Sequence, residues 1–223
     1  MTSKRKQISK TPISIYFNKE EISKYYSGDK FKEYKSYLIY DSTDRLIIDL
    51  SKISHLSILQ KNYILLLLGS AIKKHCKSGN FFIKHFGCTK TDVKNFYLGW
   101  SLSDYSFDKF KSCKEDKNNA KIFHKFEKEI NTVKESYFFI RDLINSPANI
   151  LGPKEIFKST KNFLKGFKVS NLISGKELEK KFPLISAVGQ GAEKKKQPIF
   201  CEFKYKKKSK KKIFLIGKGV SFD

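Results

Sequence analysis

Residues 213–223 have the sequence Ile-Phe-Leu-Ile-Gly-Lys-Gly-Val-Ser-Phe-Asp. The apolar run 213–216 is typical of a buried strand, and it leads directly into Lys218 between two glycines. Asp223 follows five positions later and is the last residue. A strand with this sequence would place both side chains at the edge of a sheet, so we expect Lys218 and Asp223 to begin a site. The other half of that site is not expected within the 223 residues.

The Gly-Lys-Gly sequence does not fit a phosphate-binding loop. Such a loop needs a glycine five residues before the Gly-Lys pair and a serine or threonine directly after the lysine. Lys212 and Gly219 occupy those two positions. A metal site fits better, because aspartate is a hard oxygen ligand and a lysine can coordinate once its amine is neutral. From spacing alone, an ordinary strand-end lysine and aspartate is the better interpretation.

Composition sets wide limits on the chain. It has 223 residues, 39% of them hydrophobic, and a formal charge of +24, which suits one large domain or two small ones. Three of the 46 basic residues are arginines, Arg5, Arg45 and Arg141. Proteins that read nucleic-acid bases favour arginine, whose planar guanidinium group makes paired hydrogen bonds. Because arginine is rare in this chain, we interpret the charge as a lysine-coated surface that binds polyanions non-specifically. No apolar signal or membrane-spanning run is present, which favours a cytoplasmic protein.

Helical and strand patterns alternate along the chain, which predicts an α/β fold. We expect a smaller N-terminal α/β domain at 1–118, a long linking helix at 119–150, and the beginning of an incomplete second α/β domain at 151–223. In the first domain we expect strands at 36–40, 46–50 and 81–86 and a helix at 57–77, with the tryptophan-bearing segment 95–111 as a core plug. A polar linker is expected at 114–119. The linking helix is predicted from an apolar stripe with alternating spacings of three and four: Phe123, Phe126, Ile130, Val133, Tyr137, Ile140 and Ile144.

The second domain is predicted from shorter patterns. A helix is expected after Gly152-Pro153, a strand at 167–173, and a short helix capped by Ser174 and Glu177. Residues 198–205 alternate as a strand does, and a lysine-rich hairpin turn at 206–212 leads to the strand 213–216.

Four potential zinc ligands occur close together, His75, Cys76, His85 and Cys88. Zinc ligands normally come in close pairs on one turn or one helix face. His75 and Cys76 are adjacent, so they point in different directions on a helix. We therefore interpret this cluster as a coincidence and the cysteines as reduced thiols.

Several segments, in chain order, resemble the leucyl (cytosol) aminopeptidases, which are dinuclear metallo-enzymes. The segments are Gly99-Trp100 with Tyr105, Phe107 and Asp108, then Arg141 to Asn149, Ala187 to Gly191, Pro198 to Tyr205, and Gly217 to Asp223. Residues 95–223 carry the resemblance, and residues 1 to about 94 match weakly. By this resemblance residues 151–223 begin the catalytic domain. Arg141 stands out as a rare arginine, but a helix-end ion pair explains it equally well.

The resemblance implies that Lys218 is the amine ligand of one metal ion and that Asp223 is a carboxylate shared by two. The ions would be manganese, zinc or magnesium, and the remaining ligands and catalytic residues would lie after residue 223. The implied reaction is proteolysis from the N-terminus: a metal-bound water hydrolyses the first peptide bond of a substrate with a free amine. Family members are typically cytoplasmic hexamers. We expect residues 1–223 alone to be inactive. The alternatives are a non-enzymatic basic nucleic-acid-binding module and a degenerate pseudoenzyme.

Overall fold

The computed structural model describes residues 11–16, 32–33, 38–41, 46–112, 118–205 and 212–221. The chain divides into two compact units, residues 1–139 (unit 1) and 140–223 (unit 2). The predicted α/β class is confirmed, whereas domain boundaries at 118 and 150 stay predictions. Most of the linker at 114–119, most of the turn at 206–212, and Asp223 lie outside the described residues.

Unit 1 contains a sheet of six described strands. They are β1 (Thr11–Tyr16), β2 (Lys32–Glu33), β3 (Leu38–Asp41), β4 (Leu46–Asp49), β5 (Ser78–Phe86) and β6 (Asn119–Ile122). Their order is β2-β3-β4-β1-β5-β6. The pairs β4–β1, β1–β5 and β5–β6 are parallel, and β2–β3 and β3–β4 are antiparallel.

Strand β1 lies at the centre of this sheet but was not expected from the sequence. Ile13 and Ile15 are 0% and 1% exposed, so the strand is core. Pro12 obscures the pattern because proline cannot donate to a strand ladder. It is tolerated here because it is the second residue of the strand.

Three described α-helices accompany the sheet: α1 (Ile58–Cys76), α2 (Lys90–Leu102) and α3 (Glu127–Ile144). The first two begin with capping boxes, in which Ser57 and Gln60 or Thr89 and Asp92 satisfy each other's backbone N–H groups. Trp100 lies in α2 and is 2% exposed, so its predicted core position is confirmed within a helix. The predicted linking helix is shorter than expected, because residues 119–122 pair with β5 as a strand.

Helices α1 and α2 cross at two glycines. A Cβ atom on Gly69 would lie 2.0 Å from the carbonyl oxygen of Phe96, and one on Gly99 would lie 1.8 Å from that of Leu66. No side chain fits in such a gap, so the two backbones are in direct contact. This contact brings Trp100 of α2 to 5.7 Å, between ring centroids, from Phe81 of β5.

An ionic cluster around the buried Lys73 joins three parts of unit 1. Lys73 of α1 is 4% exposed, and its Nζ donates to one carboxylate oxygen of Asp104. Lys134 of α3 donates to the other oxygen of Asp104 at 3.0 Å. Asn118 donates its side-chain amide to the carbonyl oxygen of Lys73 at 2.8 Å. A buried ammonium without such a partner would be costly, so this cluster fixes the loop after α2.

His124 lies just before α3 and acts as an acceptor. Its Nδ1 accepts the backbone N–H of Phe126 at 3.2 Å, and its ring stacks on Tyr97 with centroids 4.2 Å apart. Burial lowers the pKa of His124, and the nearby carboxylate of Glu127 partly opposes that shift. The neutral imidazole is therefore the form that the folded state favours.

After the end of α3, the described residues of unit 2 contain three further α-helices and a two-stranded antiparallel sheet. Its elements are α4 (Pro153–Phe163), β7 (Phe167–Ser174), α5 (Gly175–Lys181), α6 (Pro183–Val188) and β8 (Ile199–Tyr205). Helix α4 packs on β8 through Phe157, whose ring centroid lies 6.0 Å from that of Phe203, and Phe182, between α5 and α6, stacks on Phe200 at 4.5 Å between centroids. Among the described residues, no helix is long and apolar enough to cross a membrane.

Two local predictions in unit 2 are wrong. Residues 213–216 do not form a strand, and their side chains are 76–96% exposed. An apolar strand needs neighbours on both sides, and the described residues of unit 2 pair only β7 with β8. The Ser174 side chain makes no capping hydrogen bond, and Glu177 pairs with Lys181 at 2.7 Å rather than with the helix start.

The glycine crossing predicts that Gly99→Ala destabilises unit 1. Alanine normally stabilises a helix by about 1 kcal/mol over glycine, but here its methyl group would force the two helices apart. We expect a net loss of about 1–3 kcal/mol in the free energy of unfolding, measured by denaturant titration with fluorescence of Trp100. Thr91→Ala, at an exposed position of α2, is the control. An unchanged or raised stability for Gly99→Ala would contradict the close contact.

The position of His124 predicts a pH-dependent stability. In the unfolded chain the imidazole takes up a proton near pH 6.5, whereas the folded state resists protonation. The contribution of His124 is therefore complete above about pH 6.5 and is lost as the pH falls below it. His124→Phe keeps the stacking but removes the acceptor, so we expect it to be about 1 kcal/mol less stable than wild type at pH 7.5.

That difference should shrink on going to pH 5.5, as measured by urea unfolding at both pH values. His85→Phe, at an exposed ring, controls for removing one histidine from a basic chain. A difference that stays constant between the two pH values would show that His124 does not carry this linkage.

Candidate metal-binding segment

The segment Gly217–Ser221 is irregular and lies on the surface of unit 2. Lys218 is exposed, Val220 is 52% exposed, and Ser221 is partly buried. An added Cβ on Gly217 or Gly219 would meet no atom within 4 Å. These glycines therefore leave open space around Lys218. Lys218 stays a predicted ligand, and Asp223 lies outside the described residues.

Ser221 connects this segment to the loop 147–152. Its Oγ donates a 2.6 Å hydrogen bond to the carbonyl oxygen of Leu151. The loop overlaps the end of the Arg141–Asn149 segment that the sequence analysis identified. The structure thus brings together two sequence segments that are 70 positions apart.

Lys196 holds the same loop from a second direction. Its Nζ donates to the carbonyl oxygen of Asn149 at 3.0 Å and lies 3.6 Å from a carboxylate oxygen of Glu155. The stem of Lys196 runs over Gly152, where an added Cβ would lie 2.5 Å from the lysine Cδ. The absence of a side chain at Gly152 therefore lets Lys196 reach the loop.

Glu155 completes this corner at the start of α4. Its carboxylate accepts the backbone N–H of Gly152 at 3.1 Å. Hydrogen bonds from the backbone N–H groups of Glu155 and Gly152, together with the charge of Lys196, lower the pKa of the Glu155 carboxyl. The ionised form is thus favoured, as expected for an acid in the first turn of a helix.

The segment Ala187–Gly191 meets the start of β8. An added Cβ on Gly189 would lie 2.4 Å from ring atoms of Pro198, so the small residue permits this contact. Gln197 donates its side-chain amide to the carbonyl oxygen of Ala192 at 2.9 Å. These two contacts explain why the segment needs glycine there and set where β8 begins.

Sequence reasoning missed Ser221, Lys196 and Glu155. Of the three, Glu155 could most easily have been predicted, because an acid two residues after a Gly-Pro helix start is a capping signal. Ser221 and Lys196 act through backbone carbonyl groups that are distant in sequence, so spacing gives no signal for them. Arg141 lies in the last turn of α3, as expected from the sequence, and its suggested ion pair stays a prediction.

The cysteine–histidine cluster of unit 1 has a poor donor in Cys88. Burial, with a contribution from Asp92, raises the pKa of the Cys88 thiol to about 12. A thiol held in this way stays protonated and is a weak metal ligand. Within the described ranges, no three His, Cys, Asp or Glu side chains come together as a metal site.

Residues 138–223 match the sequence profile of the cytosol aminopeptidase family, catalytic domain. The probable cytosol aminopeptidase of Clostridium tetani is 32% identical over 145 residues, which cover 59% of this chain and 30% of that protein. The crystal structure of the cytosol aminopeptidase from Coxiella burnetii matches with a TM-score of 0.62 at 22% identity, covering 90% of this chain and 45% of that one. The bottromycin maturation enzyme BotP in complex with Mn matches with a TM-score of 0.57 at 12% identity, covering 87% and 45%.

The two structural matches show a shared fold, and they extend over both units of the chain. The chain spans less than half the length of each of these relatives. The profile match includes the loop 147–152 and the segment Gly217–Ser221, which Ser221 joins. Residues 138–223 therefore belong, by their sequence, to the cytosol aminopeptidase family, and the similarity of fold extends beyond them.

Proposed function

We propose that this protein is a metallo-aminopeptidase that removes the N-terminal residue of peptides with a water activated by two metal ions. The observation that carries the proposal is the anchoring of Gly217–Ser221 on the loop 147–152 within the family-matched region. This contact supports the proposal because it joins two segments that both lie within the family-matched residues 138–223. Its substrates would be peptides with a free N-terminus.

The donor chemistry at this segment fits a divalent cation. The carboxylate of Asp223 is a hard oxygen donor that would bridge two ions, and the exposed amine of Lys218 would hold one of them. When bound, the ions supply a water of lowered pKa and polarise the scissile carbonyl. Manganese, zinc and magnesium all suit these donors, and the manganese in the BotP structure supports manganese as the first choice.

The number of donors is smaller than two ions require. No cluster of three carboxylate, imidazole or thiol groups lies within the described residues. Further ligands would therefore have to complete the centre. By family membership we also propose a cytoplasmic location, in keeping with the name of the relatives, and assembly into a homo-oligomer such as a hexamer.

The basic nucleic-acid-binding module has no support from the relatives found, which are aminopeptidases. The lysine surface still allows non-specific polyanion binding at low salt. The metallo-aminopeptidase proposal accounts for the family-like segments of unit 2, such as Gly217–Ser221, whereas a nucleic-acid-binding module gives no reason for them.

The shortage of donors leads to the expectation that residues 1–223 alone hydrolyse a leucine anilide slowly or not at all in the presence of Mn²⁺. Release of the aniline chromophore measures the rate, with an intact family aminopeptidase as the positive control. Efficient, Mn²⁺-dependent turnover by the 223 residues would contradict the expectation that further metal ligands are needed for activity.

The ligand assignment is tested separately by Mn²⁺ binding, measured from the electron paramagnetic resonance signal of the free ion. Removing a ligand should weaken binding by about tenfold or more, so we expect this loss in Lys218→Ala and in Asp223→Asn. Lys204→Ala removes an exposed lysine of β8 and serves as the matched charge control. Equal affinities in all of these proteins would reject the assignment.

A further inference from the structure

The outer face of α1 carries three large apolar side chains in line, Leu59, Tyr63 and Leu67. They follow one another at spacings of four, so they are neighbours along one side of the helix. Their exposed fractions are 81%, 63% and 50%, and Ile58 beside them is 76% exposed. A surface helix normally presents polar residues to water and apolar residues to the core. This α1 stripe (Leu59, Tyr63 and Leu67) departs from that pattern.

The packing of α1 on unit 1 does not use the stripe. Leu65, Leu68 and Ile72 are each at most 1% exposed. With about 3.6 residues per turn, these three side chains lie on the side of the helix opposite the stripe. Gly69 makes the close backbone contact with α2. The core of unit 1 therefore gives no reason for apolar side chains on the outer face.

The surroundings of the stripe are cationic. Residues 50–91 contain seven lysines and no aspartate or glutamate. Lys74 lies two turns beyond the end of the stripe on the same face of α1, Lys77 follows it, and both are exposed. Asp104 meets α1 at Lys73, but a second lysine also binds Asp104 and balances its charge. An anionic partner is therefore the one that the charge of this surface complements.

A second copy of this chain does not suit the surface. Each copy has a formal charge of +24, so two copies repel one another where both surfaces are cationic. The stripe is also small. Leu59 and Leu67 are separated by about 12 Å along the helix, whereas a stable protein interface buries roughly 1,000 Å² or more.

A lipid surface with anionic headgroups suits both features. Apolar side chains enter the boundary between headgroups and acyl chains without a complementary groove, and lysines are attracted to anionic headgroups. Tyrosine favours this boundary because its ring is apolar and its hydroxyl is polar. We propose that the α1 stripe, together with Lys74 and Lys77, is a docking surface for a membrane that contains anionic lipids. Such attachment needs no membrane-spanning helix, and it does not depend on the metallo-aminopeptidase proposal.

The probes are vesicles of phosphatidylcholine with phosphatidylglycerol, compared with vesicles of phosphatidylcholine alone. Co-sedimentation measures the partitioning of the 223-residue chain. We expect binding to the anionic vesicles that is about tenfold stronger than binding to the neutral ones. Added salt should weaken the binding because it screens the lysines.

The apolar contribution is tested with a double substitution, Leu59→Ser with Tyr63→Ser. It should weaken binding to the anionic vesicles about tenfold, because less apolar area enters the bilayer. The matched control is Leu184→Ser with Val188→Ser, a pair also four positions apart on a helix and 82% and 70% exposed. This control should bind as wild type does. Thermal unfolding of both variants should match wild type, since all four side chains lie on the surface.

The cationic contribution is tested by Lys74→Gln with Lys77→Gln, which should also weaken binding about tenfold. Lys158→Gln with Lys161→Gln is the control, because these lysines of unit 2 are exposed and have the same spacing. Both variants lose the same charge. Equal losses of binding would show an effect of the overall charge and would overturn the docking surface.

The remaining outcomes assign the stripe or the lipid contact elsewhere. Wild-type vesicle binding by the Leu59→Ser, Tyr63→Ser variant would overturn the proposal, and so would a wild-type chain that does not bind anionic vesicles. A loss confined to Leu215→Ser with Ile216→Ser would move the lipid contact to the exposed run 213–216. A dimer that the stripe variant abolishes in sedimentation velocity, without vesicle binding, would assign the stripe to a second copy. Binding of a glutamate-rich amphipathic peptide in place of vesicles would assign it to an acidic protein.

Discussion

The arrangement of unit 1 depends on the direct backbone contact between α1 and α2 at Gly69 and Gly99. Because no Cβ separates the helices, the aromatic residues beside the crossing reach the core: Phe96 is fully buried and Trp100 lies against Phe81 of the sheet. The loop that follows α2 is in turn fixed by Asp104, which accepts from Lys73 of α1. One close approach thus determines the packing of the helices, the tryptophan and the loop after it.

Unit 2 is organised differently, around hydrogen bonds to backbone carbonyl groups rather than around a large core. Its described helices and two strands bury few side chains fully, with Leu178 at 1% exposure as the best example. Lys196 and Ser221 instead bind the carbonyl oxygens of Asn149 and Leu151, and Glu155 binds a neighbouring N–H group. Polar contacts of this kind fix a loop precisely at little cost in buried area, which suits a place where ligands must be held near the surface.

The sequence was sufficient for features that depend on local pattern and insufficient for those that depend on distant partners. The helix that starts after Ser57 and the strand at 199–205 follow from periodicity and neighbouring residues. Strand β1 was missed because Pro12 interrupts its pattern, although neighbours on both sides stabilise it. The strand expected at 213–216 fails for the opposite reason, since an apolar run without paired neighbours has no ladder to join. For the candidate site, Lys218 was predicted from its motif and stays a prediction, whereas the Ser221 hydrogen bond to a carbonyl group 70 positions away gave no signal in the sequence.

The distribution of charge explains why a high lysine content does not by itself predict a nucleic-acid surface. A polyanion site needs solvated cations that exchange counterions with phosphate groups. Several lysines of this chain have partners within the fold: Lys73 and Lys134 share Asp104, Lys94 pairs with Glu129 at 2.7 Å, and Lys196 binds the Asn149 carbonyl. Each of them joins separate elements, as Lys94 of α2 does with α3. Lysine therefore serves here as a structural donor as well as a surface charge, and the count of 46 basic residues overstates the cations available to a polyanion.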